Sequence, residues 1–195
     1  MSAPSPVDFL REAVAIDSSA DVDDMRAFLC DTLEAAGFDR SVSSGAVYAH
    51  RGAADATTHL LLNTHLDTVP PHIPPRWDPQ TQRLHGRGSA DAKGPLAAMV
   101  EAFTTAEVPA DVRLSLVVTT DEELDSTDAA AVDLDQTMTI VGEPTDLSLA
   151  PAAKGRFVAT VQLTGSAGHA ATPAECVNPI DAVGPAVTAI HTMDA

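Results

Sequence analysis

The stretch LLLNTHLDTVPP, residues 60–71, joins an apolar run to a histidine and an aspartate two positions apart. Consecutive leucines followed by polar residues and a Pro-Pro pair predict a buried β-strand that ends close to His65. In open α/β sheets, ligands bind at the carboxyl ends of the strands. The stretch therefore predicts a strand that carries His65 and Asp67 to a ligand-binding edge of the sheet.

Similar apolar segments recur along the chain and alternate with helical patterns. One helix is predicted to start at Ser5-Pro6, a second to cover 21–38, and a third to open at Gly94-Pro95. The strand-like segments are 46–50, 59–63, 112–119 and 138–141. Helices between short, strongly apolar strands predict an α/β fold whose sheet is covered by helices on both faces.

The pattern changes near residue 151. Residues 157–163 place alternate apolar side chains, starting with Phe157, on one face and so predict a new half-buried strand. A helical stripe of apolar residues follows over 180–190. One strand and one helix cannot bury a core alone. We therefore expect one domain over 1–153 and the incomplete start of a second over 154–195.

The composition excludes several functions. The 195 residues carry 28 acidic and 11 basic side chains, a net charge of −17, which repels nucleic acid and anionic membranes. No apolar run reaches the roughly 18 residues that span a bilayer, and the first residues do not resemble a signal peptide. We expect a cytoplasmic protein that binds neither nucleic acid nor membrane. The charge is compatible with adaptation to high internal salt or with an ordinary acidic protein.

The spacing of His65 and Asp67 suits a histidine that binds a metal ion and is oriented by a carboxylate. In an extended segment, residues two apart project to the same side, so Asp67 can accept a hydrogen bond from one imidazole nitrogen of His65. That contact would orient the other nitrogen toward a metal ion. A solvated histidine beside a turn aspartate is the alternative, and the His-x-Asp pattern alone does not decide between them.

Carboxylates recur at the ends of other predicted segments. Asp91 precedes the third helix in GRGSADAKGP, Glu122 and Glu123 close LSLVVTTDEE, and Glu143 ends the next strand in IVGEPT. Each could be an ordinary surface carboxylate in so acidic a chain. Together they predict a cation site, because carboxyl ends of neighbouring strands gather at one edge of a sheet, and a poorly solvated carboxylate needs a partner.

Five motifs resemble those of the M20 metallopeptidase and deacylase family, and they occur in the family's order. They are HLD at 65–67, DAKG at 91–94, DEE at 121–123, GEPT at 142–145 and GHAATP at 168–173. The resemblance implies a zinc-peptidase-like mixed sheet, followed by the start of a ferredoxin-like lid domain that mediates homodimers. It also implies hydrolysis of an amide bond in an N-acyl amino acid or small peptide, as in the desuccinylases and deacetylases of amino-acid biosynthesis.

The resemblance assigns roles to the strand-end residues. Four would be ligands of two divalent metal ions: His65, Asp91, Glu123 and Glu143. Asp91 would bridge the ions, Glu122 would be the general base and Asp67 would support His65. Nitrogen and carboxylate donors suit zinc best, with cobalt or manganese as alternatives.

The resemblance also assigns two substrate-binding residues in the second segment. His169 would reach the active site of the partner subunit and stabilise an oxyanion, and Asn178 would contact substrate. The alternatives are a solvent-exposed loop histidine and a helix N-cap, respectively.

The chain departs from the family pattern in two places. Leu124 follows the glutamate pair where relatives continue to glycine, and the family's last ligand histidine belongs to a C-terminal segment beyond Ala195. The second metal site is therefore expected to be incomplete, in a truncated form of the enzyme. Besides an amide hydrolase, we consider a catalytically inert metal- or ligand-binding remnant and an acidic interaction domain without metal. LysW-linked, ornithine, diaminopimelate and dipeptide substrates all remain open.

The net charge predicts how stability responds to salt. If the acidic surface is an adaptation to salt, raising potassium chloride from low to molar concentration screens carboxylate repulsion and raises the melting temperature. Thermal unfolding followed by circular dichroism measures the effect. An unchanged melting temperature would leave the ordinary acidic protein as the interpretation.

Overall fold

The computed structural model describes residues 5–124, 126–132, 134–152 and 158–193. The chain divides into two compact units, 1–149 and 150–195. Helices and strands occur in this order: α1 (Pro6–Ala15), α2 (Asp23–Ala35), β1 (Arg40–Ser43), β2 (Ala46–Arg51), β3 (Thr58–His65), β4 (Arg76–Asp78), β5 (Arg83–His85), α3 (Lys93–Thr105), β6 (Val112–Thr119), α4 (Thr127–Ala130), β7 (Met138–Val141) and α5 (Val183–His191). None of the helices in these described ranges is long and apolar enough to cross a bilayer.

The first unit is an α/β fold built on a five-stranded mixed sheet. The strand order is β1-β2-β6-β3-β7, and β4 and β5 form a separate hairpin. β2 pairs antiparallel with both β1 and β6, whereas β3 lies parallel to both β6 and β7. The predicted α/β fold is confirmed. The parallel arrangement places the carboxyl ends of β3, β6 and β7 at the same edge.

Local signals explain where the first two helices begin and end. Ser5 caps α1, because its side chain accepts a hydrogen bond from the backbone N–H of Asp8, and Pro6 occupies the first turn. α2 ends at Ala35, shortly before Gly37, whose φ of +86° is left-handed. The second helix is therefore shorter at both ends than the predicted 21–38.

The main core lies on one face of the sheet, where α1, α2 and α3 pack. Buried residues of the three helices and three strands form one cluster there, including Phe9, Leu29, Phe103, Leu62 and Leu116. The opposite face carries a smaller cluster built on Ala46, Leu61 and Val117, against which Val132 and Leu134 pack. Helices were expected on both faces; among the described residues, the helical side chains of the two clusters all belong to the first face. Among its described residues, the segment between β6 and β7 forms the four-residue α4.

Two histidines and a serine link three adjacent strands on this second face. The hydroxyl of Ser115, in β6, lies 2.7 Å from Nδ1 of His50 and 2.6 Å from Nε2 of His59. Ser115 is fully buried and His59 is 7% exposed. Burial lowers the pKa of His50, with help from Arg113 and His59. The neutral imidazole is therefore the form that the sheet favours.

The second unit differs from its predicted structure. Residues 158–163 form no strand, and Phe157 lies outside the described residues. Within the described part of this unit, the one β-bridge joins Ser166 to Val177, so 158–163 have no neighbouring strand to satisfy their backbone groups. The predicted helical stripe does form α5, but its apolar side chains are exposed, as are Val158 and Val161.

The bridge through Ser115 predicts a measurable contribution to stability. Ser115→Ala leaves the buried Nε2 of His59 without its partner, and should lower the free energy of unfolding by about 1–3 kcal/mol. Urea unfolding followed by circular dichroism gives the value. Ser43→Ala on the exposed strand β1 is the matched control, with an expected change within about 0.5 kcal/mol. Equal effects of the two substitutions would contradict the prediction.

Candidate metal centre

The predicted site residues of the first unit gather at the carboxyl edge of the parallel strands. His65 is the last residue of β3, Glu122 and Glu123 follow β6, and Glu143 follows β7. Asp91 comes from the loop that precedes α3. Backbone hydrogen bonds hold this edge together, from the N–H of Leu66 to Thr119 and from that of Gly142 to Asn63. Residues from distant parts of the sequence therefore meet in one place.

The imidazole of His65 is oriented by carboxylates on both sides. Its Nδ1 lies 3.1 Å from Oδ1 of Asp67 and 3.1 Å from the backbone oxygen of the same residue. Its Nε2 lies 3.2 Å from Oδ1 of Asp91. His65 is 1% exposed, so the ring has little freedom to turn. When Nδ1–H donates to Asp67, the lone pair of Nε2 points toward Asp91 and is available to a metal ion.

Asp67 also accepts hydrogen bonds from backbone groups, which the sequence motifs do not predict. Its Oδ1 accepts a hydrogen bond from the backbone N–H of Glu122 at 3.2 Å, and its Oδ2 accepts one from that of Glu123 at 2.9 Å. The same buried carboxylate therefore fixes the imidazole of His65 and the backbone of the glutamate pair. No local pattern predicts this contact, because the donors are main-chain groups more than 50 residues away in the sequence.

Three of the four predicted metal ligands form a compact donor set. One ligand atom from each of His65, Asp91 and Glu143 lies within 4.8 Å of the other two. One imidazole nitrogen and two carboxylates are donors that suit zinc, cobalt or manganese. The residues therefore fit a divalent ion. Glu123, the fourth predicted ligand, is placed nearby by its backbone contact with Asp67 and is not one of the three.

The electrostatics of the centre reflect the crowding of its acidic groups. Burial opposes the charge on His65, but the hydrogen bond with Asp67 and the carboxylates of Glu122 and Glu143 outweigh it and raise the pKa to about 9. Burial, together with neighbouring carboxylates that include Asp91, raises the pKa of Glu123 and of Glu143. A divalent cation would relieve this repulsion.

Asp67 behaves differently from the glutamates. Burial alone would raise its pKa, but the hydrogen bonds from His65 and from the backbone of Glu123 more than compensate and lower it. Asp67 therefore stays ionised and acts as a permanent acceptor.

The turn that carries Glu122 and Glu123 is closed by hydrogen bonds to Asp121. The carbonyl of Asp121 accepts hydrogen bonds from the N–H groups of Leu124 and Ser126, and Ser126 takes the left-handed conformation with a φ of 54°. The side chain of Asp121 also accepts from the backbone N–H of Thr127. These contacts explain how Leu124, which is exposed, is accommodated.

A cleft lies beside the glutamate turn within the first unit. Its volume is about 260 Å³, and its lining includes Ser18, Val22, Thr68 and Glu123. The side chains of Asp91 and Glu122 are each about half exposed. The donor atoms of the centre are therefore accessible to solvent. A small molecule can therefore approach the donor atoms.

His169 and Asn178 belong to the second unit, and both are exposed. Nδ1 of His169 accepts a hydrogen bond from the backbone N–H of Ala171 at 3.1 Å. Asn178 caps a 3₁₀ turn, because its Oδ1 accepts from the backbone N–H of Ile180. The predicted substrate contacts of these two residues stay predictions.

Lys93 belongs to this region and was not among the predicted site residues. It lies two positions after Asp91 and is 1% exposed. Burial lowers its pKa to about 8. The chain contains two lysines among its 195 residues. A lysine two positions after the predicted ligand Asp91 is therefore unusual in this sequence, and this is the signal from which a role for Lys93 could have been predicted.

Comparison with known proteins identifies the family. Residues 61–183 match peptidase family M20/M25/M40. The chain is 36% identical to a [LysW]-lysine hydrolase of Deinococcus radiodurans, over 84% of this chain and 47% of the relative. It is 31% identical to a succinyl-diaminopimelate desuccinylase of Bordetella parapertussis, over 100% of this chain and 58% of the relative.

A solved structure shares the fold. A tripeptidase from Staphylococcus aureus superposes with a TM-score of 0.66 at 18% identity, over 94% of this chain and 55% of that structure. The chain spans about half the length of these two curated relatives. Because the family match covers more than half of the chain and includes the predicted metal ligands, the chain belongs to peptidase family M20/M25/M40.

Proposed function

We propose that the protein is a metal-dependent hydrolase of the M20 type that cleaves the amide bond of an N-acyl amino acid or small peptide. The observation that carries the proposal is the meeting of His65, Asp91 and Glu143 within 4.8 Å at a solvent-accessible edge of the sheet. The names of the relatives, a desuccinylase and a [LysW]-lysine hydrolase, favour a deacylase or desuccinylase-like activity, and we assign this activity to amino-acid biosynthesis.

The proposed cofactor is a pair of divalent ions, with zinc as the first choice. His65, Asp91 and Glu143 would hold one ion, and Asp91 with Glu123 would hold the other. Such ions supply an activated water nucleophile and polarise the carbonyl of the substrate.

The protein's own residues would orient the donors and move the proton. Asp67 keeps the Nδ1–H of His65 engaged, which leaves Nε2 free to act as a ligand. The carboxylate of Glu122 lies with Oε2 3.8 Å from Nε2 of His65 and is about half exposed. From there Glu122 would accept a proton from the attacking water and deliver it to the departing amine. The backbone N–H of Glu122 donates to Asp67. Asp67 therefore positions both the proposed base, Glu122, and the proposed ligand, His65.

The second unit would complete the active site in the assembled protein. We assign residues 154–195 to the start of a lid and dimerisation domain, with His169 stabilising the oxyanion and Asn178 contacting substrate. The exposure of both side chains is compatible with these roles. A cytoplasmic homodimer is part of the same proposal, and the net charge of −17 argues against nucleic acid or an anionic membrane as partner.

A catalytically inert metal- or ligand-binding remnant is the second candidate. It is favoured by the uneven donor sets, since one group of three side chains gathers among the described residues while Asp91 and Glu123 alone would serve the second ion. Metal binding without turnover would identify this case.

The donor geometry predicts one firmly bound ion. Protein loaded with zinc and then dialysed should retain close to one ion per chain, because three ligands serve the first position and two serve the second. Elemental analysis measures the ratio. His65→Ala should reduce it to near zero, whereas His85→Ala, at an exposed position of β5, should leave it unchanged. Two tightly held ions would contradict the prediction.

Adjacent glutamates should respond differently to substitution. In a fusion that supplies a C-terminal portion, Glu122→Gln keeps the size of the side chain but cannot take a proton, so the fusion should keep its metal content while the rate falls by roughly 10²–10⁴. Glu123→Ala removes a ligand and should lower both metal content and rate. The rate is measured with N-acetyl and N-succinyl amino acids and dipeptides. The chain is tested fused to the C-terminal portion of the Deinococcus radiodurans hydrolase, since it spans 47% of that relative.

Three results of these substitutions lead to different conclusions. Loss of metal in Glu122→Gln with retention in Glu123→Ala would reverse the two roles. Full activity in both variants would refute the proposed site. Retained metal with no turnover in the unsubstituted fusion would favour the inert candidate.

A further inference from the structure

The end of helix α1 contacts the segment that carries Asp91. The side chain of Lys93 is buried, and its Nζ donates hydrogen bonds to the backbone oxygens of Ala13 at 2.9 Å and Ile16 at 2.7 Å. The last carbonyls of a helix lack the usual partner one turn further along and lie at the negative end of its dipole; that of Ala13 also accepts a hydrogen bond from the N–H of Ile16 at 3.2 Å. The ammonium group of Lys93 therefore closes the end of α1 from a position two residues after Asp91.

The same stretch of chain also contacts the segment that carries His65. The hydroxyl of Ser18 donates to the backbone oxygen of Leu66 at 2.8 Å. The backbone oxygen of Ser18 accepts from the N–H of Thr68 at 3.1 Å. Ser18 is 1% exposed, so water does not compete for these bonds. Residues 13–18 are thus bonded on one side to the Asp91 segment and on the other to both neighbours of Asp67.

Lys93 has little room to adjust without moving Asp91. Its backbone N–H donates to the carbonyl of Gly88 at 2.9 Å. A Cβ atom on Gly88 would lie 2.8 Å from Cγ2 of Thr68 and 3.0 Å from Cδ of Lys93. The loop before α3 is therefore packed directly against the lysine stem and against the residue that follows Asp67.

A buried ammonium group is costly unless it is hydrogen-bonded, and an apolar side chain could fill the same space. What an apolar side chain could not do is bond two carbonyls at the end of α1. The lysine therefore provides a directional link between α1 and the loop, which simple packing does not.

We propose that Lys93 and Ser18 are positioning residues that use the end of α1 to set the separation of His65 and Asp91. The inference rests on the proposed function, because these two ligands belong to its metal centre. The distance between Nε2 of His65 and Oδ1 of Asp91 is 3.2 Å, and the two residues lie 26 positions apart in the sequence. Residues that orient metal ligands typically change metal affinity 10–100-fold when substituted.

Cobalt binding provides the test, since Co²⁺ reports its ligand geometry through visible absorption. Lys93→Met keeps the length of the stem and removes the donor. It should raise the Kd for Co²⁺ by 10–100-fold and alter the absorption spectrum, because Asp91 is no longer held in place. Ser18→Ala should raise the Kd by about tenfold, the lower end of the same range. Titrations are performed on the 195-residue chain, with circular dichroism to verify folding.

Arg51→Met is the matched control. Arg51 donates to the backbone oxygen of Phe103 in α3 and lies over the rings of Phe38 and Phe103. It is therefore also a cation bonded near a helix C-terminus, on a part of the sheet that contributes no ligand. Its substitution should lower the melting temperature while the Kd and spectrum of bound Co²⁺ stay as in the unsubstituted chain.

Each outcome has a defined meaning. Unchanged Kd and spectrum in both Lys93→Met and Ser18→Ala would overturn the inference while the proposed function stands. Weakening by Arg51→Met equal to that by Lys93→Met would also overturn it, because the effect would then be general destabilisation. Absence of Co²⁺ binding in the unsubstituted chain would refute the proposed function and this inference with it. If Lys93→Met does not fold, Ser18→Ala against Arg51→Met decides the question.

Discussion

The buried carboxylate of Asp67 is the contact on which the metal centre depends. It lies opposite Nδ1 of His65 and accepts hydrogen bonds from the backbone N–H groups of Glu122 and Glu123. A buried carboxylate is stable only when its oxygens are satisfied, and here both are. The backbone N–H groups of Glu122 and Glu123 are in turn satisfied by Asp67, so the contact stabilises both segments. The end of β3 and the turn after β6 are thereby held as one unit.

The carboxylates around this contact repel one another, and the same carboxylates favour the binding of a cation. The folded-state pKa of His65 is about 9, above its ordinary value of 6.5. The protonated ring therefore stabilises the metal-free fold fully below pH 6.5, and this contribution is lost as the pH rises through 9. A metal ion requires the neutral ring, so proton and metal compete for Nε2. Either cation offsets the repulsion among Asp91, Glu123 and Glu143.

Agreement between sequence and structure was good where an apolar run lies beside another strand of the sheet. The predicted strands 112–119 and 138–141 match β6 and β7. The short strand β1, fully exposed and polar, gave no periodic signal, and neither did the hairpin of β4 and β5. At 158–163 the alternation was present without the strand, because an apolar face forms a strand only when a neighbouring strand and a core accept it. In the first unit, every long apolar run that was predicted as a strand lies beside another strand of the sheet.

The sequence by itself determined the chemistry of the centre, since the motifs contain the histidine and carboxylates that a divalent ion requires. It also determined that His65, the glutamate pair and Glu143 lie at strand ends, because apolar runs stop just before them. The tertiary structure decided which of them meet. It joined His65 to Asp91 and Glu143, Asp67 to the glutamate turn, and Lys93 to the end of α1. The last two contacts end on main-chain groups, which every residue possesses, and they therefore leave no pattern of side chains from which they could have been predicted.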